Sequence, residues 1–322
     1  MTLQSQEITT NGATQPSEWQ KRIEGVWYGR PAVFEPDGTL IGYNNVFRSS
    51  VFKDGKTTYF MDTQLQGTGA LRYRFDAREF AFGLNDTGRD RIYLGPDFIG
   101  AGHPTGMLVD AHYYSPQWSA DLRTMVHLPD KETEVYSSLL YDGPTLCGVF
   151  NGIYKVAFDY ETNEDTKARI DSFIETEIAN GGKPHVLPAK TAGVWTGEME
   201  VFGADQQRLG VNRVTLRYQP TALLRAKVTL TIEGVVNKQV TFERFRSNNR
   251  HTFDGPDVFG NAIAYGRALY TSKHFYGEAL KIKGRDFLID DQFTISAVWQ
   301  FFASDQKLYT TYGILRWKAD EV

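Results

Sequence analysis

The feature that most constrains this chain is a repeat. Gly25-Val26-Trp27-Tyr28-Gly29 returns as Gly193-Val194-Trp195-Thr196-Gly197, Val33-Phe34 as Val201-Phe202, and Gly42-Tyr43-Asn44-Asn45-Val46 as Gly210-Val211-Asn212-Arg213-Val214, all displaced by the 168 positions that separate Trp27 from Trp195. Further on the displacement shortens, as loops of unequal length require. Gly95-Pro96-Asp97-Phe98-Ile99-Gly100 matches Gly255-Pro256-Asp257-Val258-Phe259-Gly260, His112-Tyr113-Tyr114 matches His274-Phe275-Tyr276, and Gly152-Ile153 matches Gly313-Ile314. One structural unit is therefore used twice, and 322 residues are enough for two domains, each with its own core.

Within each unit the pattern is one of short strands. Runs rich in β-branched and aromatic residues, such as Ile41 to Phe52, Thr57 to Leu65, Gly69 to Phe75, Glu79 to Leu84 and Gly106 to Tyr114, alternate with turn signals such as Glu35-Pro36-Asp37-Gly38 and Lys53-Asp54-Gly55-Lys56. One stretch has helical period: from Asn163 to Asn180, Ile170, Phe173, Ile174 and Ile178 fall on one stripe, with Gly181-Gly182 as the stop. Trp19 to Glu24 makes a short helical turn. The expected layout is an unstructured tail over residues 1–18, a first barrel over 19–160, a linker helix and proline-rich linker over 161–189, and a second barrel over 190–322. The fold class is all-β: two tandem antiparallel barrels joined by one helix, since closure removes exposed sheet edges. A β-sandwich for each half fits the same strand pattern.

Composition narrows the partners. A net charge of −4 and a pI near 5.9 carry no basic footprint, so neither nucleic acid nor an anionic membrane is expected unless charge segregates in space. Cys147 is the single cysteine, so no intrachain disulfide can form, and a reducing cytoplasmic home is expected. The first sixteen residues lack the basic start and apolar run of a signal peptide, and no apolar run is long enough to span a bilayer. Asn85-Asp86-Thr87 fits a glycosylation triplet, which has meaning only on secretion. A homodimer is left open.

At Gly25-Val26-Trp27 and Gly193-Val194-Trp195 the chain resembles the G-x-W opening of lipocalin and wider calycin barrels. In that family the tryptophan closes the barrel floor against a basic residue near the last strand, and Lys155 and Arg316 stand where that partner is expected. The resemblance covers most of each half in layout and few residues in identity. It departs from secreted lipocalins in lacking a signal peptide, a cysteine pair and a clear T-D-Y block, and in placing two barrels in tandem. Intracellular tandem lipocalin-like proteins include cofactor-free hydratases and cyclases of terpenoid or polyketide intermediates. More distantly, size and design are similar to the lipocalin-like hetero-Diels-Alderases of fungal tropolone-sesquiterpenoid pathways.

No phosphate loop, dinucleotide fingerprint, H-E-x-x-H, C-x-x-C or G-x-S-x-G is present, so no cofactor and no metal is expected. The candidate catalytic residues are Asp110, His112 and Tyr114, which share one face of a strand and would present three proton-transferring groups to one cavity. The same face would equally serve as the solvated outside, and the repeated block as a cross-strand structural motif. Tyr113, Trp118, His274, Tyr276 and Trp299 are candidates for substrate contact. The glycine-rich run Ala101-Gly102-His103-Pro104-Thr105-Gly106 is a candidate lid. The resulting expectation is a cofactor-free enzyme that folds and cyclises or isomerises a small hydrophobic molecule, for which orientation alone supplies about 7–11 kcal/mol. A carrier of a pigment, lipid or haem, and an interaction protein with filled barrels, are the rivals.

Overall fold

A computed structural model describes residues 15–67, 78–86, 89–95, 98–116, 118–185, 187 and 190–320. A short helix α1 (Glu18–Ile23) is capped by Ser17, whose side chain accepts from the Gln20 amide. The first sheet runs through β1 (Gly25–Gly29), β2 (Ala32–Phe34), β3 (Leu40–Lys53), β4 (Lys56–Gly67), β5 (Arg78–Asp86), β6 (Arg91–Leu94), β7 (Ile99–Thr105), β8 (Leu108–Ser115), β9 (Ala120–His127), β10 (Thr133–Asp142) and β11 (Thr145–Val156). Helix α2 (Glu164–Gly181) follows. The second sheet comprises β12 (Gly193–Gly203), β13 (Arg208–Ala222), β14 (Arg225–Gly234), β15 (Lys238–Ser247), β16 (Arg250–Asp254), β17 (Val258–Tyr265), β18 (Ala268–Phe275), β19 (Leu280–Leu288), β20 (Ile295–Ala303) and β21 (Gln306–Ala319).

The second sheet is a closed antiparallel barrel. In the first, β1 pairs with both β3 and β11, so the ladder also returns on itself. The candidate strand Gly69 to Phe75 lies outside the described residues, as do Pro96, Asp97 and Thr87 of the turn and glycosylation motifs.

The repeat in the sequence is a repeat in register. Trp27 lies opposite Arg48 and Val156, and Trp195 lies opposite Leu216 and Trp317. A bulge follows Val33, opposite Gly42, and the same bulge follows Val201, opposite Gly210. Gly95 and Gly255 each close a hairpin by donating to the carbonyl three residues on, of Phe98 and Val258. One match is out of register. Hairpin turns at Gly106 and Gly266, with Leu108 opposite His127 and Ala268 opposite Phe287, put Tyr114 level with His274 and Tyr113 level with Lys273. The His-aromatic-Tyr blocks are thus two residues apart in the fold. A two-residue slip keeps the same strand face, so alternation alone does not reveal it.

Two further expectations are corrected. The glycine-rich run at 101–105 is no lid but the interior of β7, paired throughout with β8. Just before this run glycine is needed at Gly100, where a Cβ would collide with the His112 carbonyl oxygen of the paired strand. On α2, Ile170 is buried and Phe173 and Ile174 pack inward, whereas Ile178 is exposed.

The barrels lie side by side, outer wall against outer wall. Leu108 and Met125 meet Phe202, Val298 and Tyr312; Val135 and Ile153 meet Ala268 and Phe287; Ala32, Phe34 and Val149 meet Tyr265. Polar contacts are embedded in the seam: His127 Nδ1 pairs with Ser296 Oγ at 2.7 Å, and Glu177 of α2 accepts from the Ile153 amide at 3.2 Å and from Arg267 at 2.6 Å. Burial pushes the Glu177 carboxyl up, against the pull of Arg267.

Candidate functional site

The interior of the first barrel holds a cavity of about 80 Å³. Strand alternation builds it. Val46 and Arg48 of β3, Tyr59 and Met61 of β4, Val109, Ala111 and Tyr113 of β8, Leu122 and Thr124 of β9, Glu134 and Tyr136 of β10, and Phe150 and Tyr154 of β11 all face it. At one end α1 brings Trp19 and Ile23 against the barrel, with the Trp27 indole donating to the Ile23 carbonyl at 3.0 Å. At the other end Phe98 stands edge-on to both Tyr113 and Trp118, at centroid distances of 5.3 and 6.1 Å.

The floor is charged. Arg48 forms a buried ion pair with Glu134, and its guanidinium lies 5.6 Å from the Trp27 ring, 5.0 Å from Tyr154 and 6.0 Å from Tyr59. This corrects the expected cation on the floor tryptophan. Lys155 points to the other face of β11, where it bonds Thr133 Oγ1, and Arg48 arrives instead from the strand directly opposite. In the second barrel Arg316 is exposed and Trp317 packs on Trp195, with centroids 4.4 Å apart. There the indole donates to the Phe293 carbonyl at 2.9 Å.

Above the floor runs a chain of hydroxyls. Tyr113 Oη lies 2.8 Å from Thr124 Oγ1, which lies 2.8 Å from Ser138 Oγ. Burial raises the Tyr113 and Tyr154 phenols well above their ordinary value and raises Tyr136 as well. All three therefore remain protonated, and able to donate, across the neutral range.

The second barrel has the same register and a different filling. Arg48 corresponds to Leu216, Glu134 to Ile295, Tyr154 to Leu315 and Tyr59 to Val228, read from matching rungs. Its remaining void, about 40 Å³, is bordered by Lys273, Arg244, Asp286 and Trp299. The Trp299 indole donates to Asp286 at 2.8 Å. Burial lowers the Lys273 amine to about 8, and it raises the Asp286 carboxyl.

The sequence-derived candidates divide by face. Tyr113 and Trp118 line the first cavity, and Trp299 is buried inside the second barrel. Asp110, His112 and Tyr114 lie together on the outer face of β8, not towards the barrel interior. Asp110 accepts from Gln300 of the second barrel at 2.8 Å, His112 Nε2 is 3.3 Å from Asp121 Oδ1, and Tyr114 is exposed. His274, 3.3 Å from Ser272 Oγ, and Tyr276 are exposed on the second barrel. Arg48, Glu134, Tyr59, Tyr136 and Tyr154 were not among the candidates. The signal for Arg48 was its phase, two residues after the inward Val46 on a long strand.

Asp110 and His112 border a second void, of about 810 Å³, between the barrels. Among the described residues no three His, Cys, Asp or Glu side chains converge to hold a metal ion, and no helix is long and apolar enough to cross a membrane.

No family model matches the sequence, and no curated protein matches it. In fold the chain is similar to a protein of unknown function from the DUF3598 family of Nostoc punctiforme, at a TM-score of 0.57 and 13% identity over 94% of this chain and 100% of that one. Far weaker likenesses are an S-type phycobiliprotein lyase from Guillardia theta (TM-score 0.32, 11% identity, 43% of this chain and 90% of that one) and kievitone hydratase from Nectria haematococca (TM-score 0.21, 7% identity, 93% and 90%). The first likeness is one of architecture, a lipocalin-like barrel fold; the other two are too weak to bear on chemistry.

Proposed function

We propose that the first barrel binds a small, largely apolar, oxygen-bearing molecule and promotes its cyclisation, cycloaddition or isomerisation without a cofactor. The observation that carries this reading is the asymmetry of the two interiors: matched positions that are leucine, isoleucine and valine in one barrel are arginine, glutamate and tyrosine in the other. Both interiors bury charge, the second at Lys273, Arg244 and Asp286, but in the first the Arg48–Glu134 pair borders the larger cavity beside Tyr113, Tyr136 and Tyr154. Such a pair adds little stability of its own because desolvation commonly outweighs attraction. An aromatic wall with a few convergent donors is how small-molecule sites are built. Bound against these rings, a flexible guest is held in a reactive shape. Tyr113, kept protonated by burial, then donates to an oxygen on which negative charge develops, while the Arg48–Glu134 pair presents a fixed local dipole with no net charge. Such a rearrangement conserves every atom of the guest.

One observation favours a non-catalytic carrier: the Glu134 carboxylate is engaged by Arg48 and is not free to act as a base. The two readings separate by experiment. Native mass spectrometry of the purified protein identifies any co-purifying molecule, and its open-chain or isomeric precursors are then incubated with wild type and Tyr113→Phe. Turnover that falls in the variant supports the enzyme; binding with no turnover of any precursor supports the carrier.

A further inference from the structure

We propose that the void between the barrels is a second ligand site, for a small organic anion bearing at least two carboxylate or phosphate groups. It is independent of the cavity inside the first barrel. The seam that packs the barrels together leaves about 810 Å³ open, the size of a small-molecule pocket, and the lining is strongly basic in a chain of net charge −4.

The register explains how the cations converge. On the outer wall of the second barrel, Arg250, Ile263, Tyr270, Arg285 and Val298 form one continuous rung, and Thr252, Asn261, Ser272, Lys283 and Gln300 form the next on that face. Across the void, the first barrel presents the rung His112, Arg123 and Leu139. Arg123, Arg250, Lys283 and Arg285 thus border one concavity.

Opposing negative charge is scant. Asp110, the carboxylate in the lining, is occupied by Gln300, and Asp37 lies near enough to Arg250 to feel its charge. Two of the cations are held in place. Arg285 donates to the Ser137 carbonyl at 3.2 Å and hydroxyl at 2.9 Å, and lies over Tyr270; Arg123 lies 4.6 Å from the Tyr141 ring. Guanidinium groups fixed in this way bind planar carboxylate or tetrahedral phosphate in a bidentate manner, with little ordering left to pay for. The concave shape, closed by the seam on its floor, suits a compact anion more than a polymer backbone.

The test is calorimetric titration of the full chain with citrate and, separately, pyrophosphate, with acetate as monoanionic control. The expected result is one saturable site for citrate or pyrophosphate, little binding of acetate, and weakening as salt rises. The tighter of the two anions identifies the group as carboxylate or phosphate. Arg250→Gln and Lys283→Gln, both exposed positions, should each weaken binding about tenfold, whereas Lys227→Gln on β14 should leave it unchanged. Absence of saturable binding, or equal losses in the Lys227 variant, would overturn the proposal.

Discussion

Arg48 lies against Glu134 on the floor of the first barrel, and in the second barrel the same two positions are Leu216 and Ile295. The pair is therefore a difference between two copies of one architecture, and its energetic consequences can be read by converting one copy into the other. Glu134→Gln leaves a buried guanidinium without its counter-ion and should lower stability by about 3–5 kcal/mol. Arg48→Leu with Glu134→Ile removes both charges and restores the filling of the other barrel; its denaturant midpoint should lie close to or above that of wild type. Urea melts of both variants check this, and a double variant as unstable as Glu134→Gln would mean that the pair holds the fold together.

The two floor tryptophans are equivalent structurally though not in their neighbours. Trp27 and Trp195 are both buried, at 1% and 3% exposure, and each donates its indole N–H to a backbone carbonyl. Truncation of either to alanine should cost about 3–5 kcal/mol. Shifts below about 1 kcal/mol in denaturant melts would show that the floors do not depend on them.

His127 makes the seam sensitive to acid. Burial lowers its imidazole from 6.5 to about 4, so the folded protein holds it neutral where the unfolded chain would protonate it. This contribution is whole above about pH 6.5 and is lost as the pH falls towards 4, by up to about 3 kcal/mol. His185, lowered to about 3 by burial and nearby arginines, acts in the same direction. His127→Gln, able to keep a hydrogen bond to Ser296, should flatten the decline of melting temperature between pH 6.5 and 4 relative to wild type. An unchanged slope would remove His127 from the account.

Tyr113→Phe removes one donor from the hydroxyl chain and leaves its ring against Phe98. With a substrate in hand, turnover should fall about a hundredfold with little change in affinity, because the donor acts mainly on developing charge. Equal rates in the two proteins would leave shape as the whole of the catalysis.

The repeat made the doubled barrel legible, because G-x-W openings, bulge positions and hairpin glycines mark backbone geometry that the chain must satisfy locally. The linker helix was legible from its 3.6-residue stripe. The site was less so. Asp110, His112 and Tyr114 do share a strand face, but period two does not say which face is inside, and the wall they occupy is covered in part by the other barrel, a contact made across some 190 positions of sequence at Gln300. Arg48 and Glu134 each sit in a polar-looking stretch, and they become a pair only when β3 and β10 come to face each other across a closed barrel. The same distance hid the basic cleft, whose four cations come from three strands, Arg123 from β9, Arg250 from β16, and Lys283 and Arg285 from β19.

The central claim is that the first barrel, and not the second, receives a guest. Its most direct test is a fluorescence titration with phenol, the smallest neutral aromatic alcohol, chosen because the cavity is only about 80 Å³, of wild type, Arg48→Leu/Glu134→Ile and Lys273→Met. The account predicts saturable binding to wild type and to Lys273→Met, and its loss in the folded double variant. Binding that survives in the double variant, disappears in Lys273→Met, or is absent from wild type would contradict it.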